Sequence, residues 1–272
     1  MFDWIQDFID WVRSLFEKVT KLDHFETDPA KVVGYGLSND WINQSLDETD
    51  KQAEAMAVAG VNTANFEVHS CSEWGGYDNS DEVLKKLYPR AKKFLKRNIV
   101  VELNVVNGNH PGLCESKYSD GWFQHACIEI KKNIGMKGIR IQGVSEWGQR
   151  QRNGKCWRKF ESWCNWLAAN WSEMLGWNKD SRPHSAPPGH VIHYHSASVN
   201  DAGPAHSIVV TDHSTLLKQL GAWHSNFDVA KTIAYAKKVI ARGNGIVLYH
   251  FRIDKPDYEI IKELGRMLKN KS

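Results

Sequence analysis

Carboxylates and imidazoles recur in this 272-residue chain at one kind of place, the end of a short apolar run. Glu67 and His69 close "NFEVH", Glu102 and Asn104 stand in "VVELNVV", and Glu146 and Trp147 end "GVSEWG". Further on, His193, Tyr194 and His195 form "IHYH", Asp212 and His213 end "IVVTDH", and Tyr249, His250 and Arg252 end "IVLYHFR". A strand-end carboxylate costs on the order of several kcal/mol to bury unless it is paired, so the repetition points to a polar pocket built from strand ends. Two acids facing each other across such a pocket, one kept protonated by apolar neighbours and one ionised, supply what glycosidic cleavage needs.

The elements that must position these groups follow from the apolar pattern. From Lys31 onward, β-branched runs alternate with helical stretches: strands at "VVGYGL", "GVNTANFEV", "NIVVELNVV" and "GMKGIRIQGV", then "HVIHYHS", "HSIVVTDHS" and "NGIVLYHF". Helices are expected at about residues 46–59, 81–97, 122–132, 154–175, 228–242 and 257–268. The strands are too apolar to face water, which calls for a parallel sheet covered by helices. An α/β fold, a (β/α)8 TIM barrel with an extra N-terminal amphipathic helix, fits the alternation, with a short fifth strand at about residues 176–179. An open doubly wound sheet is disfavoured because no Gly-rich phosphate turn follows the first strand. In a barrel the listed polar groups gather at the C-terminal rim.

Residues 1–24 read as a separate element. Ile5, Val12 and Val19, with Phe8, Leu15 and Leu22, repeat at heptad spacing, and Phe2, Ile9 and Phe16 widen the stripe. The stripe needs a cover: the chain's own barrel, a protein partner or a sister helix, or a membrane surface. Asp3, Asp7 and Asp10 argue against an anionic bilayer, and the segment is too charged to span one. It also lacks the features of a secretory signal. Helix and barrel (residues 31–272) together suggest a hydrolase tethered to a larger assembly, such as a virion or cell-surface complex.

Composition narrows the partners. The 35 basic and 32 acidic residues leave a net charge of +3 with no dense basic block, so nucleic acid is not expected. Five cysteines without a CxxC pair exclude a structural zinc site of that type, and no cofactor is expected. Cys71 and Cys114 follow strands closely enough to bridge, with separate free thiols as the other reading. Trp41, Trp74, Trp122 and Trp147 fall in or near predicted loops on the catalytic face, where they would either stack on sugar rings or pack within the protein.

Taken in order, "GVSEWG", "VIHYHS", "IVVTDHST" and "IVLYHF" resemble the second half of clan A (β/α)8 glycoside hydrolases, above all family 5, the cellulase and mannanase group. The resemblance implies a carbohydrate substrate, with Glu146 where that family's acid/base stands, His193 at its strand-six histidine and Asp212 at its nucleophile. Glu67, His69, Glu102, Asn104, Trp147, Tyr194, His195, Tyr249 and His250 are the candidate substrate-binding residues. Ser145 stands in place of the family's Asn, Trp147 in place of its Pro, Asp212 in place of Glu, Glu67 in place of an Arg near strand two, and Tyr249 with His250 near its strand-eight Trp. The shorter Asp212 favours a wider gap between the acids: inverting enzymes leave about 6.5 to 9.5 Å for a water, against about 5 to 5.5 Å in retaining ones. Stereochemistry therefore stays open. Two other readings remain, a metal-dependent hydrolase using His193 and His195 with Asp212, His213 or His250, and a barrel without catalysis that binds glycan or serves as a structural subunit.

Overall fold

The computed structural model describes residues 28–37, 39–68, 81–107, 118–144, 166, 170, 174–178, 192–211, 214–221, 228–251 and 255–270. The N-terminal stripe, His69, Glu146, Trp147 and Asp212 lie outside these residues, as does a bridge between Cys71 and Cys114. The strands are β1 (Val33–Leu37), β2 (Thr63–Glu67), β3 (Val100–Asn107), β4 (Ile139–Val144), β5 (Met174–Asn178), β6 (Ile192–His195), β7 (Ser207–Val210) and β8 (Gly245–Phe251). They pair in chain order, all parallel, and β1 meets β8 from Val33↔Ile246 to Leu37↔Phe251, which closes the barrel.

The helices are α1 (Leu46–Ala59), α2 (Asp81–Leu95), α3 (Tyr118–Asn133), α4 (Ser214–Gln219), α5 (Val229–Ala241) and α6 (Lys255–Lys269). Trp166 and Asn170 are also helical. Helix α1 starts where its sequence says it should: Ser45 Oγ accepts from Glu48 N at 3.1 Å, and Glu48 Oε2 accepts from Ser45 N at 2.7 Å, a reciprocal capping box. One expected helix end is wrong. The stretch read as helical through Leu175 has become β5 by Met174, because the barrel needs a strand there and "MLGWN" is the apolar segment available.

Outward-facing strand residues form the main core with the helices: Val33, Tyr35 and Leu37 of β1, Ala64 and Phe66 of β2, Val101, Leu103 and Val105 of β3, and Ile246 and Leu248 of β8. Helices α1 and α6 meet closely, since a Cβ on Gly265 would lie 1.5 Å from Ala59 O. The turn after β1 is held from outside by Arg90 of α2, which is 8% exposed. Its guanidinium donates to the carbonyls of Trp41 (3.1 Å), Ile42 (3.4 Å), Gln44 and, within its own helix, Lys86 (2.8 Å). A short β1–α1 connection at the C-terminal rim is thus fixed by one side chain.

Candidate active site

Alternation along each strand decides what faces inward. In β2, Thr63 and Asn65 alternate with the outward Ala64 and Phe66; in β3, Glu102 and Asn104 alternate with Val101, Leu103 and Val105; in β4, Arg140 lies between Ile139 and Ile141. From β6, His193 points inward. From β7 and β8 come Ile208, Val210, Val247 and Tyr249, which with Val32 form a small interior apolar cluster. The barrel interior is therefore polar on the β2–β4 and β6 side and apolar under β7 and β8, a division that the uniformly apolar reading of the strands did not anticipate.

The polar half is connected. Tyr249 Oη donates to Asn65 Oδ1 at 3.0 Å, and Asn65 Nδ2 donates to Glu102 Oε1 at 2.8 Å. His193 Nδ1 stands 3.6 Å from the same Glu102 oxygen, both side chains being fully buried. That distance is a close approach rather than a formed hydrogen bond. Burial pushes the Glu102 carboxyl up to about 7, against the pull of Arg140, the Asn65 hydrogen bond and His195. Burial also drives His193 well below the ordinary imidazole range, and the charges of His195 and Arg140 add to it. His193 is thus neutral, and Glu102 is a carboxyl poised between its two forms near neutral pH.

Room for this chain of contacts comes from β1. A Cβ on Gly36 would sit 3.0 to 3.2 Å from three atoms of the Tyr249 ring. The glycine leaves room for the ring, whose hydroxyl reaches Asn65. At the rim, Thr211, which immediately precedes Asp212, is 1% exposed and its Oγ1 accepts from Tyr249 N at 2.9 Å. Its own N–H donates to Val247 O at 3.1 Å, so the tip of β7 is tied to β8 from both sides.

The sequence-derived residues divide by depth and face. Glu102, Asn104, His193 and Tyr249 are buried in the barrel interior. Glu67 and His195 are partly exposed. Tyr194 points to the opposite side of β6 from the two histidines, where its hydroxyl donates to Asp201. His250 belongs to β8 by its backbone. Of the two readings of Trp41, packing within the protein holds: it is fully buried, edge-on to Phe66 at 5.3 Å, with Nε1 donating to Glu67 O at 2.9 Å. Asn65 and Arg140 were missed, although their inward positions are legible as polar residues spaced by two in "TANFE" and "IRIQG". Among the described residues no three His, Cys, Asp or Glu side chains converge to hold a metal ion, and the Arg140 cation near His193 opposes one; Asp212 and His213, further ligands of the metal reading, lie outside the described residues.

No protein-family model and no curated protein matches the chain. Solved structures do match. Endo-β-1,4-glucanase B of Bacillus halodurans, a tri-modular protein, superposes with a TM-score of 0.58 at 12% identity over 92% of this chain and 61% of its own. A family 5 lichenase from Caldicellulosiruptor sp. F32 gives 0.57 at 13% identity over 90% and 94%. An exo-β-1,4-mannosidase from Opitutaceae bacterium strain TAV5 gives 0.55 at 13% identity over 88% and 59%. The fold is that of family 5 glycoside hydrolases. Glu102 and Arg140 are register partners on β3 and β4, and both are buried beneath the rim on which strands β4 and β7 end.

Proposed function

We propose that the chain is a glycoside hydrolase that cleaves a β-linked glucan or mannan with Glu146 as general acid and Asp212 as the second carboxylate. The observation that carries the reading is topological. Strands β4 and β7 are parallel members of one closed barrel, so they end on the same rim, and each proposed acid follows its strand by two residues, Glu146 after Val144 and Asp212 after Val210. The β7 end is anchored by Thr211, hydrogen-bonded to β8 just before Asp212. The substrate class is taken from the enzymes that share the fold, a lichenase, endoglucanases and a β-1,4-mannosidase.

Glu146 would protonate the leaving oxygen. Asp212, one methylene short of the usual glutamate, would either attack the anomeric carbon or activate a water on its far side. Purified full-length protein incubated with lichenan, β-1,4-gluco-oligosaccharides and β-1,4-mannan should release reducing ends, and proton NMR of the first-formed anomer distinguishes the two roles of Asp212. E146Q should abolish turnover while leaving circular dichroism and Tm unchanged. Glycan binding without turnover in the wild-type protein would instead identify a non-catalytic binding barrel.

A further inference from the structure

The barrel interior holds a carboxyl and an imidazole that hydrolysis at the rim does not use directly. Glu102 and His193 are both 0% exposed, and their nearest polar atoms are 3.6 Å apart. Among the described residues neither nitrogen of His193, nor Glu102 Oε2, nor Asn104 Oδ1, has a hydrogen-bond partner. A buried donor or acceptor left unpaired is costly, so the pair has a strong incentive to use each other. Two neutral-imidazole arrangements place a proton between Nδ1 and Glu102 Oε1, and a third, with the carboxyl proton on Oε2, would leave that buried O–H without a partner among the described residues. With Glu102 ionised, the imidazole proton sits on Nδ1 and points at Glu102 Oε1. With Glu102 protonated, its O–H donates to Nδ1 and the imidazole proton moves to Nε2.

We propose that Glu102 is a positioning residue that sets the tautomer of His193, switching which imidazole nitrogen carries the proton as the buried carboxyl gains or loses its own. One proton is exchanged with solvent in the switch, and the imidazole itself stays uncharged throughout. Among the described residues the groups that face the pair are these, with Asn104 beside Glu102 on β3. From β2 Asn65 donates to Glu102 Oε1; from β4 Arg140 supplies the compensating cation; from β6 His195 lies two residues along; from β8 Tyr249 acts through Asn65. From β7, among the described residues, come the apolar Ile208 and Val210. Burial raises the Glu102 carboxyl to about 7, which puts the switch within the range where the protein can be studied folded. The catalytic consequence rests on the hydrolase reading: His193 lies beneath the rim, and its tautomer decides whether it offers a donor or an acceptor from Nε2.

Two-dimensional 15N–1H correlation spectra of the histidine rings in the full chain test the tautomer without any substrate. In the wild-type protein, the pyrrole-type and pyridine-type 15N signals of His193, assigned with H193N, should exchange places as pH falls through about 7. In E102Q they should keep fixed identities over the same range. Signals that do not exchange in the wild-type protein, or that still exchange in E102Q, overturn the proposal, and the wild-type arm decides even if E102Q does not fold. Activity provides a separate arm. If the protein hydrolyses glycan, E102Q should flatten the limb of the kcat profile near pH 7 with KM changed less than twofold, and an unaltered limb would remove the catalytic role of the switch. If no glycan is hydrolysed while the signals still exchange, the hydrolase reading fails and the Glu102–His193 coupling stands.

Discussion

Exchanging Glu102 for Gln removes one proton-binding site and almost no volume, which makes its effect on stability unusually easy to work out. The carboxyl lies at its ordinary 4.5 in the unfolded chain and about 7 in the folded one, because burial disfavours the charge. Its folded-state preference for the protonated form is fully expressed below about 4.5 and is lost as pH rises through about 7. The wild-type protein should therefore lose stability relative to E102Q over that window, and the difference between the two values corresponds to about 3 kcal/mol. At this chain length that is roughly 6 to 12 °C in Tm. Urea titrations of both proteins at about pH 4 and about pH 8 read the effect directly: the gap between them should widen in favour of E102Q by that amount at the higher pH. A gap that stays constant with pH would refute the reasoning, since it would mean that Glu102 ionises as freely inside the barrel as outside it.

Other parts of the structure give equally definite expectations. G36A would press a methyl group against the Tyr249 ring, so it should cost about 1 to 2 kcal/mol in urea denaturation, and Y249F, which loses the hydrogen bond to Asn65, about 1 kcal/mol or more. R90A strips the donor from the carbonyls of Trp41, Ile42 and Gln44 and should cost about 3 kcal/mol, with R90K between it and the wild type because an ammonium cannot span them all. G265A places a methyl group onto Ala59 O and must push α6 off α1, so a loss of about 3 kcal/mol or more is expected in the same assay. D212N should leave the melting curve intact and remove glycan hydrolysis, which checks the proposed acid independently of Glu146.

The barrel was legible because each strand is apolar on the side that meets helices, and the helices begin at readable signals such as Ser45–Glu48 and the Asp228 N-cap of α5. Strand β5 was half legible: "MLGWN" is too short and too close to the preceding helical pattern for periodicity to separate them. Depth was the harder quantity. Spacing shows that Glu102 and His193 face the same interior, yet it cannot tell a side chain at mid-barrel from one at the rim, and the full burial of both is visible only in the structure. Tyr194 errs the other way: it is expected among the substrate contacts, yet alternation along β6 puts it opposite His193 and His195, on the face where it meets Asp201. Trp41 looked like a loop aromatic because its burial depends on Phe66 and on Arg90, partners 25 and 49 positions away, which no local pattern reveals.

The bond from Tyr249 to Asn65 joins residues 184 positions apart. While the chain is being synthesised, β2, β3 and β6 emerge well before β8, so Asn65, Glu102 and His193 remain open to water until the final strand arrives. The interior is sealed by the last quarter of the polypeptide. A nascent or truncated chain that stops before Gly245 therefore has a wet, unclosed sheet with two bare edges, β1 and β7, and is the form most exposed to proteolysis and to pairing with other chains.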